Sequence, residues 1–136
     1  DPNIAKFIDC DGCHLGQSDM DILAARKIIK NKIIGLTCHN SKILIKKAIL
    51  NKADYIALGA FYETKTKKTK FRARLKLISE TKKLTDIPIV AIGGITYKNY
   101  KNLLLHKANF LAISGYIWNN KKLTPKEAIS LLNYEN

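Results

Sequence analysis

The chain is 136 residues long and 46% apolar, and its 24 lysines and arginines against 11 acidic residues give a net charge of +13. That length fits one domain, residues 1–136, and no apolar run approaches the roughly 18 residues of a membrane-spanning helix, which speaks against a membrane protein. The charge does not read as a nucleic-acid interface, because only Arg26, Arg72 and Arg74 are arginines and the lysines are scattered over nearly every helical segment.

In chain order, two kinds of segment alternate. A short β-rich run at 12–15 precedes a stretch in which Ile22, Ala25, Ile28 and Ile29 share a helical face. A second strand at 32–37 leads to a helix with Ile43, Leu44, Lys47, Ala48 and Leu50 on its face, the Lys47 stem reaching to solvent. The third strand, 54–58, opens the longest connection of the chain, 59–70, before a helix marked by Leu75, Ile78 and Leu84. A strand at 88–92, a helix around Leu103 to Leu105 and a strand at 110–114 follow. The last helix has a clear start, with Thr124 as N-cap, Pro125 in the first turn and Glu127 three residues after the cap, and its apolar residues run from Ala128 to Leu132.

Several strands are nearly all apolar and no hairpin signal separates them, so the pattern predicts parallel βαβ units. Right-handed crossovers turn such units into an open doubly wound sheet or a closed barrel, and periodicity leaves both open. Each strand ends in polar or glycine-bearing sequence: His14-Leu15-Gly16-Gln17, Thr37-Cys38-His39, the 59–70 connection, Gly93-Gly94 and Ser114-Gly115. Ligands gather at the carboxyl ends of strands in both architectures.

The 59–70 connection places Thr64, Thr66 and Thr69 among Lys65, Lys67, Lys68 and Lys70. Hydroxyl and backbone donors with ammonium groups suit a clamp on a phosphate or diphosphate, although a solvated lysine-rich loop has the same composition. Gly93-Gly94 and Ile113-Ser114 close the last two strands, where barrels bind phosphate, and where an ordinary tight turn also takes glycine. Asp19 is either a Mg2+ ligand beside phosphate oxygens or the cap of a helix starting near Met20. His14 reads as a satisfied histidine inside a strand. A Cys38–His39 nucleophile pair is disfavoured, because adjacent residues of an extended chain point opposite ways. Cys10, Cys13 and Cys38 are an odd set with no second pair for a zinc site, and they read as reduced thiols of a cytoplasmic protein. No basic region followed by an apolar stretch marks a signal peptide.

Taken in order, these segments resemble the thiamine phosphate synthase family. Asp11 to Asp19 match D-G-x-H-L-G-Q-x-D, and Ile33 to His39 match I-I-G-x-S-x-H with Thr37 for the serine. Asp54 to Lys67 match D-Y-I-x-x-G-x-x-x-P-T-x-T-K, with Glu63 for the proline. Ile87 to Ile95 match I-P-x-V-A-I-G-G-I, and Ile113 to Ile117 match V-S-x-I with one extra residue.

The resemblance implies an α/β fold, the (β/α)8 TIM barrel, of which this chain is a partial barrel of about five parallel strands, the fourth to the eighth. A complete barrel takes roughly 250 residues, and the chain opens on Asp1-Pro2 without a methionine, so it is expected to be the C-terminal part of a longer barrel. The implied enzyme is a transferase that joins hydroxymethylpyrimidine diphosphate to a thiazole phosphate, giving thiamine phosphate and diphosphate by a dissociative, Mg2+-assisted substitution. Carried over by position, Asp19 is a Mg2+ ligand and Asp1 a second one, though its spacing to Asp19 is one residue short. Thr37 and Lys67 contact the diphosphate and are the implied catalytic groups, Thr64 and Thr66 hold the thiazole phosphate, and Gly93, Gly94, Ile113 and Ser114 complete the phosphate cup. The family's glutamine–arginine–lysine strand is absent, and Glu63 puts a negative charge in the clamp. Three rivals stand beside this reading: a thiazole tautomerase leaning on His39, a non-catalytic phosphate-binding barrel remnant and, resting only on charge, a nucleic-acid-binding domain.

Overall fold

The structure, a computed structural model, describes residues 1–64, 66 and 71–133. Five strands, β1 (Gly12–Leu15), β2 (Ile33–His39), β3 (Tyr55–Leu58), β4 (Ile89–Ile92) and β5 (Phe110–Ala112), form one sheet in the order β1-β2-β3-β4-β5. Every neighbouring pair is parallel. An order that never reverses has no switch point, which decides against the doubly wound alternative. Right-handed crossovers then place all the connecting helices on one face, the winding of a (β/α) barrel.

Those helices are α2 (Ile22–Ile29), α3 (Lys42–Leu50), α4 (Lys76–Lys82) and α5 (Tyr100–Leu105), one between each pair of successive strands. On the helix side of the sheet Leu15, Ile34, Leu36, Ile56, Leu58, Ile89 and Ala91 are buried, packed with Ile22, Ala25, Ile29, Ile45, Ala48, Ile78 and Leu103. Each large aliphatic side chain buried there contributes about 1.5–3 kcal/mol over exposure. Side chains of alternate parity face the other side, where Ile33 and Phe110 remain 49% and 60% exposed.

Two helices have no counterpart in the apolar pattern of the sequence: α1 (Pro2–Phe7) and the single turn α6 (Gly115–Trp118). The face of α3 differs from the expected one. Ile45 and Ala48 are buried, whereas Ile43 and Leu50 are about four-fifths exposed. In α4 Leu77 joins Ile78 inside while Leu84 lies beyond the helix end and is exposed, and in α5 only Tyr100 and Leu103 are buried. The expected cap on α7 (Pro125–Asn133) is present: Glu127 N–H donates to Thr124 Oγ1 (3.3 Å) and Thr124 N–H to Glu127 Oε2 (2.8 Å).

At the amino end of the sheet, Arg26 donates to the carbonyls of Lys30 and Lys32 and to Asp54 Oδ2 (2.6 Å). The same Asp54 oxygen accepts from Ile34 N–H (2.7 Å), so one ion pair ties the end of α2 to the starts of β2 and β3. Among the described residues no helix is long and apolar enough to cross a membrane.

Candidate active site

The carboxyl ends of β2 to β5 surround a cleft of about 910 Å3. Thr37 enters it from β2, Thr64 and Thr66 from the connection after β3, Gly93 and Gly94 from the end of β4, and Ile113 and Ser114 from the end of β5. Seven of the ten residues singled out from the sequence therefore meet in one place.

Backbone pairing brings the loops together. Phe61 and Tyr62 donate their N–H groups to the carbonyls of Ile92 and Gly93, both at 3.1 Å, so the chain after β3 lies across the end of β4. This close approach requires the two glycines. Gly94 has φ +67°, and a Cβ on it would sit 2.2 Å from the Glu63 carbonyl oxygen; Gly93 has φ +91°, and its Cβ would meet that of Ala60 at 2.3 Å. A Cβ on Gly115 would lie 2.9 Å from Thr66 Oγ1, so the chain after β5 approaches the connection after β3 closely. Thr66 N–H in turn donates to Thr64 Oγ1 (3.3 Å).

Asn99 braces the turn after β4, a role that the sequence motifs do not assign. Its Nδ2 donates to the Gly94 carbonyl (3.1 Å), its Oδ1 accepts from Thr96 N–H (2.8 Å), and its carbonyl accepts from the Tyr62 hydroxyl (3.0 Å). The Thr96-Tyr-Lys-Asn99 spacing is the available signal. Tyr116 and Asn119 also line the cleft, and the buried Tyr116 hydroxyl has no hydrogen-bond partner among the described residues.

The wall at β2 is polar and linked. His14 Nε2 lies 2.6 Å from Thr37 Oγ1, and His14 Nδ1 lies 2.9 Å from the Tyr55 hydroxyl. Both ring nitrogens thus have partners, although His14 itself is exposed and not an interior residue. The Gln17 side-chain amide donates to the Thr37 carbonyl. Partial desolvation lowers the His14 pKa against the opposing pull of Asp19 and raises that of the Tyr55 phenol, each shift favouring the neutral ring. Gly35 makes room for Tyr55: a Cβ there would fall 1.9 Å from Tyr55 Cζ.

His39, at φ +50°, packs its ring on Phe71 (centroids 5.1 Å apart) at the rim of the cleft. Cys38 points the other way and is fully buried, and desolvation pushes its thiol up to about 12. A Cys38–His39 nucleophile pair is therefore ruled out.

The two carboxylates proposed for metal do not line the cleft. Asp19 does not cap a helix: α2 begins at Ile22 and is capped by Asp21, whose Oδ1 accepts from Leu23 N–H (2.9 Å). Asp19 Oδ2 instead accepts from Gly16 N–H (2.6 Å) in the turn after β1. Asp1 is the cap of α1, its Oδ1 accepting from Asn3 N–H (2.7 Å) and Ile4 N–H (3.3 Å). Among the described residues no three His, Cys, Asp or Glu side chains are grouped to hold a metal ion. Lys67, with Lys65, Lys68, Thr69 and Lys70, lies outside the described residues. Glu63 is exposed at the edge of the cleft.

A singly wound parallel sheet with a glycine- and hydroxyl-lined cleft at its carboxyl end defines a (β/α)-barrel protein. The chain belongs to the thiamine monophosphate synthase family, whose model matches residues 1–117. It is 67% identical over 132 residues to a thiamine-phosphate synthase of Pelagibacter ubique, covering 97% of this chain and 64% of that protein. A thiamine-phosphate synthase of Rhodospirillum centenum is 39% identical over 120 residues, 88% of this chain and 58% of the relative. The chain thus spans less than two thirds of either. Among solved structures, thiamine phosphate pyrophosphorylase from Pyrococcus furiosus superposes with a TM-score of 0.85 at 28% identity, covering 98% of this chain and 62% of that one. A 3-hexulose-6-phosphate synthase, at TM-score 0.69 and 18% identity, shares the fold over 96% of this chain and 64% of its own.

Proposed function

We propose that the protein of which these residues are part joins hydroxymethylpyrimidine diphosphate to a thiazole phosphate, releasing diphosphate and giving thiamine phosphate. The observation that carries this reading is the convergence of Thr37, Thr64, Thr66, Gly94 and Ser114 on one cleft. Thr37 stands on one wall, where its hydroxyl donates to the diphosphate. Thr64, Thr66, Gly94 and Ser114 form a second group, which takes the thiazole phosphate. In the reaction the bond from the pyrimidine methylene carbon to the diphosphate oxygen breaks, and its electron pair leaves with diphosphate. The thiazole nitrogen then forms the new bond to that carbon. Such chemistry needs little acid–base machinery and much preorganised stabilisation of the leaving group.

Mg2+ keeps several waters and takes phosphate oxygens, so Asp19, whose Oδ1 is not the atom held by Gly16, would serve as a protein ligand; Asp1, proposed as the second, would have to bind through the carboxylate that caps α1. Bound there, Mg2+ would supply positive charge to the diphosphate. The substrates are small molecules, and the proposed setting is the cytoplasm. The test is formation of thiamine phosphate by the full-length protein. Asp19→Ala should abolish the Mg2+-dependent reaction and His39→Ala should matter less. Isomerisation of the thiazole phosphate alone, Mg2+-independent and lost in His39→Ala, would replace this reading with that of a tautomerase.

A further inference from the structure

The contact between β1, β2 and β3 on the inner face of the sheet has a direction that the hydroxyl of Thr37 imposes. That hydroxyl carries one proton. If it is given to a diphosphate oxygen, Thr37 Oγ1 can only accept from His14, which lies 2.6 Å away. His14 Nε2 must then carry hydrogen. A neutral imidazole with hydrogen on Nε2 has Nδ1 as an acceptor, and the group 2.9 Å from Nδ1 is the Tyr55 hydroxyl, which can donate. The opposite polarity would have Thr37 donate to His14 and present only lone pairs to an anion.

We propose that Tyr55 is a positioning residue which, through His14, holds the Thr37 hydroxyl as a donor aimed at the diphosphate. The proposal rests on the synthase reading of the cleft. Three hydrogen bonds run one way: Tyr55 O–H to His14 Nδ1, His14 Nε2–H to Thr37 Oγ1, and Thr37 O–H to the substrate anion. Each donor polarises the next, which strengthens the last one. The geometry is built in. The Tyr55 ring fills the space left by the missing side chain of Gly35, directly opposite it in the β2–β3 register. Gln17 anchors the backbone of Thr37 through its carbonyl, so neither end of the chain of donors is loose. Among the described residues the Tyr55 hydroxyl bonds only His14, and no other structural duty competes for it. The residues come from three strands, which is why no single motif displays them.

The test uses the full-length protein and the substitution Tyr55→Phe, which keeps the ring in the Gly35 space and removes only the donor. Turnover should fall about tenfold or more, the scale of losing one hydrogen bond to a charged group, while the thermal midpoint stays near wild type. Nitrogen NMR of the His14 ring, with Mg2+ and inorganic pyrophosphate as the probe, should show hydrogen on Nε2 in the wild type and a mixture of tautomers in Tyr55→Phe. Undiminished turnover in Tyr55→Phe, or hydrogen on Nδ1 in the wild-type pyrophosphate complex, overturns the proposal. Should Tyr55→Phe fail to fold, the wild-type tautomer decides alone. A wild-type protein that makes no thiamine phosphate would sink the synthase reading, and the tautomer measured with pyrophosphate would still decide the relay.

Discussion

Gly94 shows how a single residue ties the loops of the cleft together. Its φ of +67°, and the 2.2 Å that would separate an added methyl carbon from the Glu63 carbonyl oxygen, leave room for hydrogen only. A left-handed non-glycine residue costs about 1–3 kcal/mol before any clash is counted. Gly94→Ala should therefore lower unfolding free energy by about 2 kcal/mol or more in a denaturant titration, and pull the chain around Glu63 away from β4. Cys38 gives a second prediction at this scale. With its thiol pushed up to about 12 and its side chain buried, it should resist iodoacetamide at pH 8 in the native protein and react only in denaturant, as read by mass spectrometry. The residues of the cleft are legible in the sequence where their type carries the chemistry, as hydroxyls and glycines at strand ends do. The Tyr55–His14–Thr37 contact is not, because its members are far apart in the chain and meet only through strand register. Gly35 inside a strand is the one local sign of a close approach there. At Asp1 the local signal is that of a helix start, an Asp followed by Pro, and capping α1 is the role the structure gives it.

Among the elements, the helices that match expectation have either a one-sided apolar pattern or a cap. The segment of α3, Lys-Ile-Leu-Ile-Lys-Lys-Ala-Ile-Leu, is apolar around most of its circumference, so spacing does not single out its buried face. The four residues of α6 are too few for any period. Capping carboxylates also set how the helix starts respond to acid. Hydrogen bonds from Leu23 N–H and Lys47 hold Asp21 below its ordinary range, and those from Thr124 do the same for Glu127. A carboxylate with a depressed folded pKa stabilises above its unfolded pKa and loses that contribution as pH falls through the folded value. The urea midpoint should therefore fall as pH drops below about 4, and Asp21→Asn should flatten part of that dependence. Thr124→Ala, which removes the cap of α7 at neutral pH, should cost about 1 kcal/mol by the same titration.

For the whole molecule, the strand order predicts where the backbone is most protected. β2, β3 and β4 each have two hydrogen-bonded neighbours, whereas β1 and β5 have one each among the described residues. Amide exchange in the 136-residue chain should be faster at Gly12–Leu15 and Phe110–Ala112 than at Ile33–His39 and Tyr55–Leu58. Equal protection across the five strands would contradict this order. The parallel class is legible because each apolar run is short and each is followed by a helix, whereas the barrel rather than a doubly wound sheet is implied only by the family resemblance of the motifs. The net charge of +13 is less informative, since lysines on nearly every helix describe a solvated surface and no particular ligand.

The unbroken order of the sheet also bears on how the chain reaches it. Gly12 pairs with Ile33, Gly35 with Tyr55 and Val90 with Phe110, each about twenty residues away, and Ile56 with Ile89 about thirty away. Parallel sheets fold slowly when distant strands must find each other before any contact repays the loss of chain entropy. Here every pairing closes over a single helix, so strands can be added one after another to a growing edge. The polar chain of Tyr55, His14 and Thr37 needs only β1, β2 and β3, whereas the glycine loops come with β4 and β5.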